Sequence, residues 1–125
     1  MKLKFHRLIM STVLGSLVVA CATTQIKTAT TKSQFETVFE AARQAAIENG
    51  YAITSADPTS GFISASQYAV GGPGRQVRLN IKVAKATPVS VEVAVVPPPG
   101  TIGDIEGIVA SVLRSIKSRV PDLVW

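Results

Sequence analysis

Histidine and cysteine are almost absent from this chain of 125 residues. The single histidine is His6 and the single cysteine is Cys21, so the sequence beyond position 21 contains neither an imidazole nor a thiol. This excludes zinc sites built from histidine and cysteine, Cys–His and Ser–His–Asp nucleophiles, and haem ligation by histidine from that region. A lone cysteine also excludes an internal disulfide, so packing must stabilise the fold. We therefore expect no metal, no cofactor and no catalytic residues of these classes.

An excess of positive charge is also missing from most of the sequence. The net charge is +5, but Lys2, Lys4 and Arg7 lie within the first seven residues. Removing these three from the 13 Lys and Arg leaves ten against eight Asp and Glu, a net charge of +2. Nucleic-acid binding needs a basic stripe that neutralises several phosphates, and no such stripe is present. We therefore expect no nucleic-acid partner.

A short cationic segment and an apolar run open the sequence. Met1 to Arg7 is cationic, and Leu8 to Ala20 is an uncharged run of 13 residues. Thirteen helical residues rise only about 20 Å, which is too short for a bilayer core of about 30 Å. The pattern is typical of a secretion signal rather than a permanent membrane span, so we predict a signal peptide over residues 1–20.

The apolar run ends in Val18-Val19-Ala20-Cys21, which resembles the lipobox of bacterial lipoproteins. In that family a small residue before the cysteine fits the peptidase subsite, and the cysteine thiol carries a diacylglyceryl thioether. Cleavage then exposes the cysteine amine for a further acyl chain. The resemblance implies lipid attachment at Cys21 and a lasting membrane anchor, since two or three acyl chains bind far more firmly than one. The alternative is an ordinary secretion signal with Cys21 nearby by chance.

The residue after the cysteine bears on location. Lipoproteins that stay in the inner membrane tend to have aspartate there, whereas this chain has Ala22. The resemblance therefore implies the periplasmic leaflet of the outer membrane. Residues 22–32 are rich in threonine and lack apolar periodicity, which is typical of a flexible linker. We predict a lipidated cysteine and tether over 21–32 and one domain over 33–125, since this length has room for one core.

Two stretches of the domain have the spacing of amphipathic helices. The first is predicted over 34–49, where Ser33 and Glu36 fit a capping box and Asn49-Gly50 is typical of a helix end. The second follows the prolines at 97–99 and ends at Pro121. Its apolar face consists of Ile105, Ile108, Val109, Val112, Leu113, Ile116 and Val120.

Four strands are predicted between the helices. They cover 51–55, 62–70, 77–83 and 89–95, with turns at 57–61, 71–74 and 86–88. In the last two strands the odd-numbered residues are all apolar, so one face is buried. The short turn predicts a hairpin in which Lys82 lies opposite Glu92, where an exposed ion pair could form.

The predicted element order is α-β-β-β-β-α. Strands with one apolar face need one covering layer, and two amphipathic helices supply it. We therefore predict an α+β two-layer sandwich, with a four-stranded, mostly antiparallel sheet, both helices on one face and the other face open. A parallel α/β fold is the weaker alternative, because the short turns leave no room for crossover helices.

The first half of the domain resembles a pattern found in small periplasmic lipoprotein domains. A helix leads through glycine and an aromatic residue into a strand, an Asp-containing turn and a second strand. The matching residues are Phe35, Val38, Phe39, Ala42, Asn49-Gly50-Tyr51, Ile53, Asp57, Gly61, Ile63 and Ala65. The element order is also similar to the helix-grip domains of the C subunit of the outer-membrane β-barrel assembly machinery. That subunit has two such domains and a long leader, so the resemblance implies a similar fold and carries over no binding residue.

Two polar motifs have structural as well as functional interpretations. Asp57 and Ser60 could be catalytic, but the stretch from Asp57 to Gly61 has turn chemistry throughout. The sequence Gly71-Gly72-Pro73-Gly74-Arg75 is glycine-rich like a phosphate loop. It lacks the Gly-Lys-Ser/Thr ending, however, and joins two strands. We interpret the first motif as a turn and the second as a hairpin tip.

The outward row Arg78, Asn80, Lys82 and Glu92 forms a possible docking face. An open antiparallel sheet is normally polar on that side, so the row can also be interpreted as an ordinary solvent-exposed face without a binding role. Trp125 is expected to pack against the sheet or the first helix, with an exposed anchor for a partner as the alternative.

These observations favour a non-enzymatic interaction or accessory lipoprotein with an envelope protein as its partner. The second hypothesis is a module that binds an apolar ligand between sheet and helices, which requires an apolar pocket of about 300 Å³ or more. The third is a hydrolase that would use Asp57, Glu92 or Glu106 without histidine, and it is the least favoured.

Overall fold

The computed structural model describes residues 24–68, 76–99 and 104–125. The predicted signal peptide, Cys21 and the predicted turn at 71–74 lie outside these residues. The described elements are β1 (Gln25–Thr31), α1 (Phe35–Glu48), β2 (Ala52–Asp57), β3 (Phe62–Tyr68), β4 (Gln76–Ala84), β5 (Val89–Val96) and α2 (Ile105–Arg119).

In this part of the chain the strands form one antiparallel sheet in the order β1-β5-β4-β3-β2. The two helices pack against each other and against the sheet, α1 over β2, β3 and β4 and α2 over β5 and β1. The α+β class is therefore confirmed. The predicted strand number is wrong, because the described sheet has five strands instead of four.

The additional strand is β1, and it lies in the stretch predicted to be a tether. Gln25–Thr31 pairs with β5 along its whole length, from Gln25 opposite Val95 to Thr31 opposite Val89. Only two of its side chains, Ala29 and Thr31, are buried. An edge strand that buries so little has no apolar alternation to detect, although β-branched threonine favours strands. The strand forms because it pairs with β5, and its own sequence has no apolar alternation that would indicate it.

The predicted hairpin is confirmed in its register. Lys82 lies opposite Glu92, Ile81 opposite Val93 and Val83 opposite Val91. The Lys82 ammonium lies 5.4 Å from the centre of the Phe62 ring on the neighbouring strand, which is a cation–π contact. Lys82 and Glu92 are therefore neighbours in the sheet, but the lysine contacts the aromatic ring of β3.

The core lies between the sheet and the helices. The odd-numbered residues of β4 and β5 are buried beneath the apolar faces of α1 and α2, as the alternation predicts. Full burial of each aliphatic side chain contributes about 1.5 to 3 kcal/mol. The largest fully buried side chains are Ile63, Leu79, Ile81, Leu113, Ile116, Leu123, Val38, Val83, Val91, Val93, Val95 and Val112.

The predicted C-terminal ends of both helices are confirmed. At the end of α1, Gly50 has φ +85° and the Tyr51 amide donates to the Ala46 carbonyl at 3.0 Å, so the predicted helix end is confirmed. Helix α2 starts where Asp104 accepts a hydrogen bond from the Gly107 amide at 2.8 Å, and it ends before Pro121.

The capping box at the start of α1 is wrong. The N-cap residue is Gln34, whose side chain makes no capping hydrogen bond. The Ser33 hydroxyl donates instead to the Asp122 carboxylate at 3.0 Å. The free backbone groups at a helix start are amide donors, so a capping Ser33 hydroxyl would have to accept. Here the hydroxyl instead donates to a carboxylate 89 positions away, and Gln34 occupies the N-cap position.

Candidate docking face

The four residues predicted as a docking face lie on one surface. Arg78, Asn80 and Lys82 alternate along β4, and Glu92 lies on β5 opposite Lys82. All four point away from the helices, because the residues between them are buried in the core. We call the outward side of the sheet the open face, since no described element covers it.

Strand β3 extends the open face with residues that the sequence interpretation did not include. Ser66 lies opposite Arg78 and Ser64 opposite Asn80, and the Ser64 hydroxyl donates to the Asn80 side-chain oxygen at 3.3 Å. The result is a continuous strip of hydroxyl, amide and cationic groups across two strands.

Two aromatic side chains lie at the ends of β3 on the same face. Phe62 is 48% exposed and Tyr68 is 72% exposed. Both are even-numbered, like Ser64 and Ser66, so period-two parity within the predicted strand could have identified them. Exposed aromatic rings of this kind can anchor a partner, because they bury a large area when covered.

A shallow groove of about 320 Å³ lies where β2, β3 and β4 meet on the open face. The register of β2 shifts between Ile53 and Ser55, and at this irregularity the Thr54 hydroxyl donates to the Ser64 carbonyl at 3.0 Å. The lining residues are Thr54, Ser64, Ala65, Ser66, Gln76, Arg78 and Asn80. None of these described residues is a carboxylate, so the groove offers hydroxyl and amide hydrogen bonds and one positive charge.

Asp57 and Ser60 form a turn, as the sequence indicates. The Asp57 carboxylate accepts from the Thr59 amide at 2.9 Å and from the Ser60 hydroxyl at 3.0 Å. These hydrogen bonds, led by that of the Thr59 amide, lower the pKa of the Asp57 carboxyl. A general base for hydrolysis near neutral pH needs the opposite shift, so the geometry favours the turn.

The three carboxylates considered for hydrolysis are dispersed. Asp57 and Glu92 share a row of the open face, but Phe62 and Lys82 lie between them on β3 and β4. Three strand spacings amount to about 14 Å, which is too far for a pair acting on one bond. Glu106 lies in the helical layer, in the first turn of α2. Among the described residues, no group of three or more His, Cys, Asp and Glu is placed to hold a metal ion.

Two larger grooves border the helices. One of about 460 Å³ lies between β1 and the start of α2, and one of about 400 Å³ lies where α2 passes the end of α1. Charged and amide side chains line both, including Lys27 and Glu106 in the first and Arg114 and Gln67 in the second. Both grooves also contain apolar residues, but neither has the predominantly apolar lining that the ligand-binding hypothesis requires.

The C-terminal segment lies against the edge of β1. Leu123 is fully buried, and Val124 exchanges two backbone hydrogen bonds of 2.9 Å with Thr30. The Trp125 ring remains 41% exposed, with the Lys117 ammonium 5.6 Å from its centre. The ring therefore lies beside α2, in cation–π contact with a lysine of that helix, and the residue remains partly exposed.

Comparison with models of known protein families and with curated proteins gives no match to this chain. Among the described residues, no helix has both the length and the apolar character to cross a bilayer.

Proposed function

We propose that this protein is a membrane-anchored lipoprotein of the cell envelope that acts as a non-enzymatic interaction module. The observation that carries the proposal is the asymmetry of the sheet. Its inner face is filled by the helices, whereas its outer face is uncovered by any described element and carries the row Arg78, Asn80, Lys82 and Glu92. The motif Val18-Val19-Ala20-Cys21 supports the lipid anchor, and Ala22 supports the periplasmic leaflet of the outer membrane.

The chemistry of the open face favours a protein surface as partner. The face combines hydrogen-bonding groups, charges of both signs and two exposed aromatic rings, Phe62 and Tyr68. Protein interfaces combine these features, with aromatic and arginine side chains as the main anchors and a polar rim around them. The dispersed carboxylates support a binding role over a catalytic one.

The size of the face supports a transient contact. Five strands about 4.8 Å apart, six to nine residues long at about 3.4 Å per residue, give a face of roughly 500 Å². A standard interface buries about 800 Å² on each partner. An anchor that confines both proteins to one membrane raises their effective concentration, so a weak contact can still be populated.

Site-specific photocrosslinking in cells tests the docking role. A photocrosslinking amino acid at Arg78, on the open face, should yield a discrete adduct of higher mass. The same amino acid at Thr37, which is exposed on α1, is the matched control and should yield none. The adduct from position 78 should disappear when Lys82 is replaced by Glu. Equal adducts from both positions, or none from position 78, would contradict the proposal.

A further inference from the structure

The outer edge of β1 has backbone groups that are ready to pair. Thr30 uses its outward N–H and C=O to bond Val124, both at 2.9 Å. Alternate residues of a strand direct these groups to the same side, so Ile26 and Thr28 also present theirs on this edge. No described residue pairs with Ile26 or Thr28 there. Such an edge accepts an additional strand unless charge, proline or a covering element prevents it.

The groove of about 460 Å³ lies directly beside this edge, between β1 and the first turns of α2. Ala29 and Thr31 on the helix side of β1 are buried, whereas Lys27, two residues before Ala29, is exposed. The buried part of β1 on the helix side therefore ends at Ala29, and the Lys27 side chain is left uncovered. A strand added at this edge would find space for the side chains that it directs toward the helices.

The groove has distinct chemistry along its walls. Among the described residues that line the groove, Asp104 and Glu106 at the start of α2 are joined by one cation, Lys27, which gives these lining residues a net charge of −1. Val109 and Ala110, one turn further along α2, provide an apolar part. This combination favours one basic and one small aliphatic side chain and disfavours an acidic one.

We propose that the β1 edge binds an extended peptide segment of another protein by strand addition. The peptide runs antiparallel to β1. It occupies the same strand position, on the outer edge of β1, in which Val124 already pairs with Thr30. Its residues opposite Thr28 and Ile26 make the backbone hydrogen bonds, and those opposite Lys27 and Gln25 direct their side chains toward the groove. This mode takes affinity from the backbone and specificity from alternate side chains. It uses a different surface from the open face, so its failure would leave the docking proposal intact.

Peptide binding to the full-length chain in detergent tests the charge selectivity. The probe is a fluorescein-labelled nonapeptide that alternates threonine with lysine and valine, and the comparison peptide has glutamate in place of lysine. Fluorescence anisotropy should show saturable binding of the lysine peptide and at least tenfold weaker binding of the glutamate peptide. Glu106→Lys should reverse this preference. Glu36→Lys should leave it unchanged, since Glu36 occupies the equivalent first turn of α1, outside the groove.

The pattern of backbone methylation tests the strand pairing without altering the protein. N-methyl groups on the alternate peptide residues that face β1 should abolish binding, whereas methyl groups on the intervening residues should be tolerated. Bound peptide should also slow amide hydrogen exchange at Ile26 and Thr28. Equal binding of both peptides, indifference to the methylation pattern, slowed exchange at Asn80 instead, or a chain that dimerises through this edge in light scattering would each overturn the proposal.

Discussion

Asp122 accepts a hydrogen bond of 2.7 Å from the hydroxyl of Thr31, a residue 91 positions earlier in the chain. The same carboxylate accepts from the Lys32 amide at 2.7 Å and from the Ser33 hydroxyl at 3.0 Å. One side chain near the end of the sequence thereby fixes the connection between β1 and α1. These bonds, led by that of Thr31, lower the pKa of the Asp122 carboxyl.

Asp122→Asn should therefore lower stability in a pH-dependent manner. Because the folded-state pKa lies below the ordinary value of 3.8, the contribution of the carboxylate is present at neutral pH. It is lost as the pH falls through the folded-state pKa. Urea midpoints of the two proteins should differ most near pH 7 and converge in acid. Glu36→Gln, which removes another exposed carboxylate, is the control, and a constant difference at all pH values would contradict the assignment.

Leu113→Ala should destabilise the domain by about 2 to 5 kcal/mol, because truncating a fully buried leucine leaves a cavity. This is a large fraction of the free energy of unfolding of a typical domain, which is about 5 to 15 kcal/mol. Arg114→Ala, at the adjacent exposed position, should change the free energy of unfolding by less than about 0.5 kcal/mol. Chemical denaturation measures both, and equal effects would show that Leu113 does not pack in the core.

Tyr51→Phe should raise the free energy of unfolding by about 1 to 3 kcal/mol. The Tyr51 side chain is 4% exposed, and its hydroxyl has no hydrogen-bond partner in the part of the chain that the structure describes. Burial also raises the pKa of this phenol. A buried polar group without a partner carries a desolvation penalty of about 1 to 3 kcal/mol, which phenylalanine removes. Tyr68→Phe, at a site 72% exposed, should be neutral. Destabilisation by Tyr51→Phe would indicate that the hydroxyl is satisfied, for example by buried water.

Cys21→Ser should release the protein from membranes, since the proposed lipid is attached to the cysteine sulfur. Intact mass spectrometry of the membrane-bound protein should show the acyl chains, and an unmodified mass would contradict the anchor. Ala22→Asp should move the protein from the outer-membrane to the inner-membrane fraction, according to the pattern of the lipoproteins that the motif resembles. Ala22→Ser is the matched control and should leave the distribution unchanged.

The elements that could be predicted from the sequence are those in which the spacing of apolar residues matches the pattern of burial. Helix α2 and the β4–β5 hairpin follow directly from apolar spacing, and parity alone places Arg78, Asn80 and Lys82 on one face. Strand β1 could not be predicted this way, because its pairing with β5 is long-range and only Ala29 and Thr31 are buried.

The parts of the candidate sites that the sequence did not predict also depend on long-range contacts. The groove on the open face depends on the register shift of β2 near Thr54, and no local sequence motif predicts that shift. The groove beside β1 depends on the strand itself being recognised. The capping box is wrong because the Ser33 hydroxyl donates to Asp122, far away in the sequence, and Ser33 lies one residue before the N-cap. Long-range partners override local preference in each case.

The conversion of the threonine-rich stretch into a strand changes the reach of an anchored domain. A flexible segment of about 12 residues could extend roughly 40 Å from the bilayer, whereas only four peptide units separate Cys21 from the first residue of β1, and these span at most about 14 Å. A lipid on Cys21 would therefore hold the domain close to the headgroups, with one end of the sheet toward the lipid.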